Sequence, residues 1–286
     1  MPVKTILLPL SDTDVPGPVL ETAFGLAQRF EAHLDLLFVL RNPRHPLPYT
    51  TIGLSKHMRE SVLRAAEQHA HTVVEQVHQL FRRSCTTAGI PIVETRTANG
   101  GASASWHGVV GHEDELLAMR GRLSDLIVLP GPIEVSPPPA VAEAALKATG
   151  RPVLVAPQKA EPIIGTRVGI GWNGSAESAR AVAAAMSYLH SAESVTIFSG
   201  RYTNGKRPAA TDLVSYLSWH GVEAKVRIIE AHDPHVGEAL LSASTEAGIN
   251  LLVVGAYSRS RWRELILGGV TEHLLKSAEV PVFMVH

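Results

Sequence analysis

The chain has 286 residues, 45% of them hydrophobic and 19% charged, with a formal net charge of −1. At roughly 100–200 residues per domain this is enough for two domains with cores of their own. The charge balance gives no long-range attraction to nucleic acid or to an anionic membrane, and no apolar run reaches the ~20 residues that span a bilayer. The single cysteine, Cys85, excludes an intrachain disulfide and a Cys-based metal cage.

The opening Met1-Pro2-Val3-Lys4 leads into Ile6-Leu7-Leu8, which reads as a first strand and not as a secretory signal. With the lone thiol, this sets the expectation of a cytoplasmic protein. The strand Thr5–Ser11 is followed by a helix from about Val19 to Phe30, where apolar residues recur at the helical period. A second strand is expected over Leu34–Leu40. Arg41 to Ser55 holds three prolines and reads as an irregular insertion. A long helix follows, Lys56 to Ala88, with Gly89 as its C-cap before an apolar strand. Leu126–Leu129 is an unbroken apolar run, as expected of a strand buried on both faces of a parallel sheet. After it come Pro130-Gly131-Pro132 and Pro137-Pro138-Pro139, a helix, and a short strand at Pro152–Val155.

The same events then repeat. Pro157 to Gly165 is a short linker. Arg167–Trp172 is a strand, Asn173-Gly174-Ser175 a turn, and Ala176–Leu189 a helix. Val195–Ser199 is the second strand of this copy, and Ala209–His220 its next helix. Gly221 and Gly248 read as C-caps that precede strands, and Asp233-Pro234 as a helix start. Leu251–Val254 matches Leu126–Leu129, and Pro281–Val285 matches Pro152–Val155. Strands alternating with helices predict right-handed crossovers and an α/β fold of two tandem doubly wound parallel five-stranded sheets. The domain bounds are 1–157 and 165–286.

The segment Gly255 to Thr271 carries the chemistry. It leaves a strand and enters a helix at Gly268-Gly269-Val270-Thr271. Loops at the carboxyl ends of such strands form the ligand crevice. Glycines just before a helix let main-chain N–H groups approach a phosphate, and the helix N-terminus adds partial positive charge. Thr271 adds a hydroxyl donor. The first copy has prolines, which donate no N–H, and Glu134, which repels phosphate.

At Gly255, Ser258, Gly268 and Gly269 the chain resembles the universal stress protein family, whose nucleotide-binding branch spaces Gly, two residues, Gly, nine residues, Gly, and a small residue. Ser258 departs from the glycine of that pattern. The resemblance spans nearly the whole chain as two copies. It implies an adenine nucleotide alpha hydrolase-like, Rossmann-like fold in which the domains pair through their last strands, Val153–Val155 and Val282–Val285, as a pseudo-dimer within one chain. It also implies further association as a homodimer. The expected ligand is ATP in the second domain, with Mg²⁺ as a companion. The residues that match the family's site are Asn173, Gly174, Ser175, Phe198, Gly255, Ala256, Ser258, Gly268, Gly269, Val270 and Thr271. Asn173 stands where the family often has aspartate, and main-chain groups of Ile197–Ser199 would border the adenine.

Three functions stay open on this reading: a regulatory nucleotide-binding module of the stress response, a slow ATP hydrolase, and a ligand-free interaction factor. For hydrolysis, Glu264 and His273 are the remote candidates for a base. Two rival motifs are weaker. Gly169, Gly171 and Gly174 spell G-x-G-x-x-G, but only Arg167-Val168 precede the first glycine and no acid closes the next strand. His69, His71 and His78 share the long helix, but 69 and 71 point to different faces, and the loop pairs His107 with His112 and His232 with His235 lack a clear third ligand. Cys85 reads as a buried thiol.

Overall fold

The computed structural model describes residues 2–11, 16–40, 55–95, 100–132, 140–159, 163–200, 207–230, 235–256 and 269–286. The first half provides β1 (Thr5–Ser11), α1 (Pro16–Phe30), β2 (His33–Leu40), α2 (Lys56–Ala88), β3 (Ser103–Val110), α3 (Glu113–Gly121), β4 (Leu126–Pro130), α4 (Ala140–Ala148) and β5 (Val153–Ala156). The second provides β6 (Arg167–Trp172), α5 (Ala176–Ala184), α6 (Met186–His190), β7 (Ser194–Gly200), α7 (Ala210–Trp219), β8 (Lys225–Ile229), α8 (Val236–Glu246), β9 (Leu251–Gly255), α9 (Gly269–Ser277) and β10 (Val282–Val285).

The apolar runs set the sheet. Leu126–Leu129 and Leu251–Val254 are buried at every position, as double-sided coverage demands. Within each half the strands are parallel, in the order β3-β2-β1-β4-β5 and its mirror β10-β9-β6-β7-β8. The halves meet at β5 and β10, which pair antiparallel: Val155 opposite Val282, Leu154 opposite Phe283, Val153 opposite Met284. One ten-stranded sheet results. The pairing satisfies the two apolar strand edges that isolated halves would leave open.

Two helical layers cover the sheet. On one face Phe24 of α1, Phe81 of α2, Val182 of α5, Tyr188 of α6 and Leu217 of α7 share one core. On the other, Leu117 of α3, Leu146 of α4, Leu240 of α8 and Leu275 of α9 share the second. Each core runs without interruption from one half into the other. Each fully buried aliphatic or aromatic side chain contributes about 1.5–3 kcal/mol to holding the layers on the sheet.

The internal repeat extends to polar anchors. Asp125, just before β4, donates its N–H to the Thr5 carbonyl at 2.9 Å and accepts from the N–H groups of Lys4 and Thr5 at 2.9 and 3.0 Å. Asn250, just before β9, donates its N–H to the Arg167 carbonyl at 2.9 Å and accepts from the N–H groups of Gly165 and Arg167 at 3.1 and 2.9 Å. In both copies one short polar side chain fixes the start of the central strand.

The sequence expectations hold for α2, whose N-cap is the Ser55 hydroxyl. They hold for Gly89, Gly221 and Gly248, which take left-handed φ values of 66°, 71° and 62°. Two need correction. The helix expected over Ala176–Leu189 breaks at Ala185 into α5 and α6. The strand expected directly after Gly89 is a single bridge, Ile92 to Ala104, and the true edge strand β3 starts at Ser103. Pro91 lacks the N–H that a longer ladder would use. The proposed helix start at Asp233-Pro234, residues 41–54 of the insertion and residues 160–162 of the linker lie outside the described residues. Among the described residues no helix is long and apolar enough to cross a membrane.

Candidate functional site

Parallel pairing of β6 with both β7 and β9 brings three strand ends to one side of the sheet. Asn173-Gly174-Ser175 leaves β6, Ser199-Gly200 ends β7, and Gly255-Ala256 ends β9. The chain order reverses across β6, so this is the crevice of a doubly wound sheet.

The turn after β6 is built by its own side chains. The Asn173 side-chain oxygen accepts the Ser175 N–H at 3.0 Å, an Asx turn. Gly174 takes φ 66°, and a Cβ there would stand 2.7 Å from the Pro208 carbonyl oxygen. Ser175 is buried and caps α5, its hydroxyl accepting the Ser178 N–H at 3.2 Å. Behind the cap, burial pushes the Glu177 carboxyl up, but its own backbone N–H, Ser175 and Arg180 outweigh this and hold it below the usual carboxylate range. Its ion pair with Arg180 measures 3.0 Å.

Gly255 explains why the β9 end carries glycine. A Cβ at this residue would lie 2.5 Å from the Ser178 nitrogen and 2.6 Å from the Glu177 carbonyl carbon. The first turn of α5 therefore rests directly on the β9 backbone. Ala256 is buried, and its N–H donates to the Val285 carbonyl at 2.8 Å. Across the crevice, Gly269, Val270 and Thr271 form the first turn of α9; Gly269 is exposed and Thr271 buried. Ser258, Gly268 and the base candidate Glu264 lie outside the described residues.

Phe198 is 1% exposed, its ring turned into the core beside Gly169, and its main chain lies in the ladder between Gly171 and Arg227. His273 faces α8, where its Cβ lies 2.8 Å from where a Cβ on Gly237 would stand.

The rival motifs acquire physical explanations. Gly169 and Gly171 sit inside β6, where Phe198, Ile249, Val254 and Leu240 occupy the space a Cβ would need. These glycines serve close packing of the core, whereas a dinucleotide fingerprint puts its first glycine at the turn. His78 stacks on Trp106 with ring centroids 4.8 Å apart, and His107 bonds Asp35 at 2.6 Å. Among the described residues no group of three or more His, Cys, Asp or Glu side chains forms a metal ligand set. Cys85 is buried, and burial pushes its thiol up to about 11.

Sequence reading missed Trp172, Arg207 and Pro208, which brace the turn after β6. The indole N–H of Trp172 donates to the Pro208 carbonyl at 3.1 Å, and Arg207 Nη1 donates to the Asn173 carbonyl at 3.3 Å. No spacing rule links positions so far apart in the chain.

In the first half the corresponding strand end is closely packed as well. Gly131, after β4, has the Ala156 carbonyl oxygen 2.6 Å and a Val155 methyl 2.8 Å from where its Cβ would stand.

No curated protein sequence matches the chain. Several solved structures share its fold. A universal stress protein from Archaeoglobus fulgidus DSM 4304 superposes with a TM-score of 0.66 at 19% identity, over 98% of this chain and 97% of that one. A functionally unknown protein from Pseudomonas aeruginosa PAO1 gives 0.58 at 14% identity, over 99% and 92%. The cytoplasmic domain of a prokaryotic cation chloride cotransporter gives 0.51 at 13% identity, over 99% and 95%. The model of the universal stress protein family matches residues 166–286, the half that holds the glycine loop. Residues 166–286 are thus similar to the universal stress protein family, and the first half repeats the same α/β fold as a tandem copy.

Proposed function

We propose that the second half binds an adenine nucleotide across the carboxyl ends of β6, β7 and β9, and that the chain is a nucleotide-responsive regulatory module of the stress response. One observation carries this reading: the fold brings Asn173–Ser175, Gly255-Ala256 and Gly269–Thr271, distant in sequence, to the same end of the sheet. The described residues fit a phosphate. A Cβ at Gly269 would meet no atom of the described residues within 4 Å, which suits close approach of a ligand to the main chain. The first turn of a helix offers main-chain N–H groups and the positive end of the helix dipole to an anion. ATP is the proposed nucleotide, with Mg²⁺ as its companion. The first half differs among its described residues in that Pro130 and Pro132 donate no N–H.

Of the two base candidates, His273 is turned toward α8. The test is mass spectrometry of small molecules released from freshly purified protein, repeated with Gly269→Asp. The open space at Gly269 takes the new side chain, so its charge repels phosphate without forcing the fold apart. Adenine nucleotide from the unmodified protein alone is the expected result. Absence of nucleotide, together with no thermal shift on adding ATP, overturns the reading. ADP formed from added ATP over hours would make the module a slow hydrolase as well.

A further inference from the structure

The connection into α7 holds the β6–α5 turn at three points. Trp172 donates to the Pro208 carbonyl, the Arg207 Cβ lies 2.8 Å from where a Cβ on Gly174 would stand, and Arg207 Nη1 donates to the Asn173 carbonyl. Arg207 is exposed, yet fixed at both ends of its side chain. Among the described residues its contact is a neutral carbonyl, not a carboxylate. Two other arginines of this half are paired with carboxylates, Arg180 with Glu177 and Arg227 with Glu246, while Arg167 bonds the Gly248 carbonyl. Arg207 therefore keeps its charge available beside the turn that starts α5. The contact through Nη1 also leaves the Nε–Nη2 edge of the guanidinium, and that planar edge matches two oxygens of one phosphate.

Resting on the nucleotide reading of the site, we propose that Arg207 is the cation that recognises a phosphate of the bound nucleotide, so that the crevice distinguishes a nucleotide from its nucleoside. The turn contact presents the guanidinium, and the lost rotamer freedom is paid in folding instead of in binding.

The experiment titrates the full chain with ATP and with adenosine by calorimetry, for the unmodified protein, Arg207→Ala and Arg207→Gln. Glutamine keeps the stem that packs beside Gly174 without the charge, so it reports even if the alanine variant loosens the turn. Loss of one charge-assisted contact at an exposed site is expected to weaken ATP binding about tenfold in both variants. Adenosine binding should change less than about twofold, and the salt dependence of ATP binding should flatten. Equal weakening of ATP and adenosine, or unchanged ATP binding, overturns the role given to Arg207 while leaving the nucleotide site intact. If the unmodified protein binds neither compound, the site reading itself falls and Arg207's role with it.

Discussion

The guanidinium carbon of Arg29, on α1 of the first half, lies 5.3 Å from the ring centroid of Tyr188, on α6 of the second. Arg29 also donates to the Ser191 hydroxyl at 2.5 Å, and the Phe30 ring meets Tyr188 edge-on at 4.9 Å. The two halves are thus joined on this face by a cation over an aromatic ring as well as by the β5–β10 pair. Burial pushes the Tyr188 hydroxyl well above the usual phenol range, and that oxygen has no hydrogen-bond partner among the described residues. The ring is what stabilises the junction, and the hydroxyl is a cost. Tyr188→Phe should raise unfolding stability by about 1 kcal/mol, the penalty of a buried unpaired hydroxyl. Denaturant unfolding of the two proteins checks it, and a comparable loss of stability would show that the hydroxyl is bonded in solution.

Gly255 and Gly269 both flank the glycine loop, yet they should respond differently to alanine. At Gly255 the new methyl would sit 2.5 Å from the Ser178 nitrogen, and backbone cannot yield as a side chain end can. Gly255→Ala should cost about 1–3 kcal/mol, the usual range for overpacking. Gly269→Ala meets no atom within 4 Å and should leave the thermal midpoint within about 2 °C. Thermal unfolding of both variants decides the matter; equal destabilisation would mean that α5 does not rest on β9 as described.

Asn250 ties the end of the linker to the second half. Besides accepting from Gly165 and Arg167, it donates to the Ile163 carbonyl at 2.9 Å and to the Thr166 hydroxyl at 2.8 Å. Asn250→Ala leaves several polar groups unpaired at a site only 7% exposed. The expected loss is about 2–4 kcal/mol. Asn250→Asp keeps the two accepted bonds but lacks the donors, so it should fall between the two. Urea unfolding gives both values, and an alanine variant as stable as the parent would remove Asn250 from the anchoring role.

The doubly wound fold and its repeat were legible because buried parallel strands need unbroken apolar runs, and Leu126–Leu129 and Leu251–Val254 meet that need locally. β3 was hidden, and β8 was announced only by the C-cap Gly221 before it. They are edge strands, and the exposed residues of Ser103–Val110 and Lys225–Ile229 carry no continuous apolar signal. The site was legible in part for a similar reason. Glycines before a helix are a local signal, whereas the Gly174–Pro208 contact depends on tertiary closure. The equivalence of Asp125 and Asn250 was not visible either, since one polar residue before a strand is common in any sequence. It acquires meaning only when its partner at the start of β1 or β6 is known.

The first half holds a pH-dependent element on the edge of the sheet. His33 of β2 bonds Ser103 through Nδ1 and Ser105 through Nε2, each at 2.9 Å. Ser105 donates to Asp35 at 3.3 Å, while His107 and Arg120 stand 2.6 and 3.6 Å from the same carboxylate. Burial lowers the His33 pKa below the ordinary imidazole value; Asp35 pulls it up and His107 pushes it further down. The folded state therefore binds the His33 proton less well than the unfolded chain does. The stability difference is absent above the unfolded pKa of about 6.5, grows as a penalty as the pH falls from there toward the lowered folded value, and is constant below it. His33→Gln keeps hydrogen-bonding capacity toward both serines and removes the titration. The variant should lose less stability than the parent between about pH 7 and pH 5. Denaturant unfolding at the two pH values measures this, and parallel losses in the two proteins would place the acid sensitivity elsewhere.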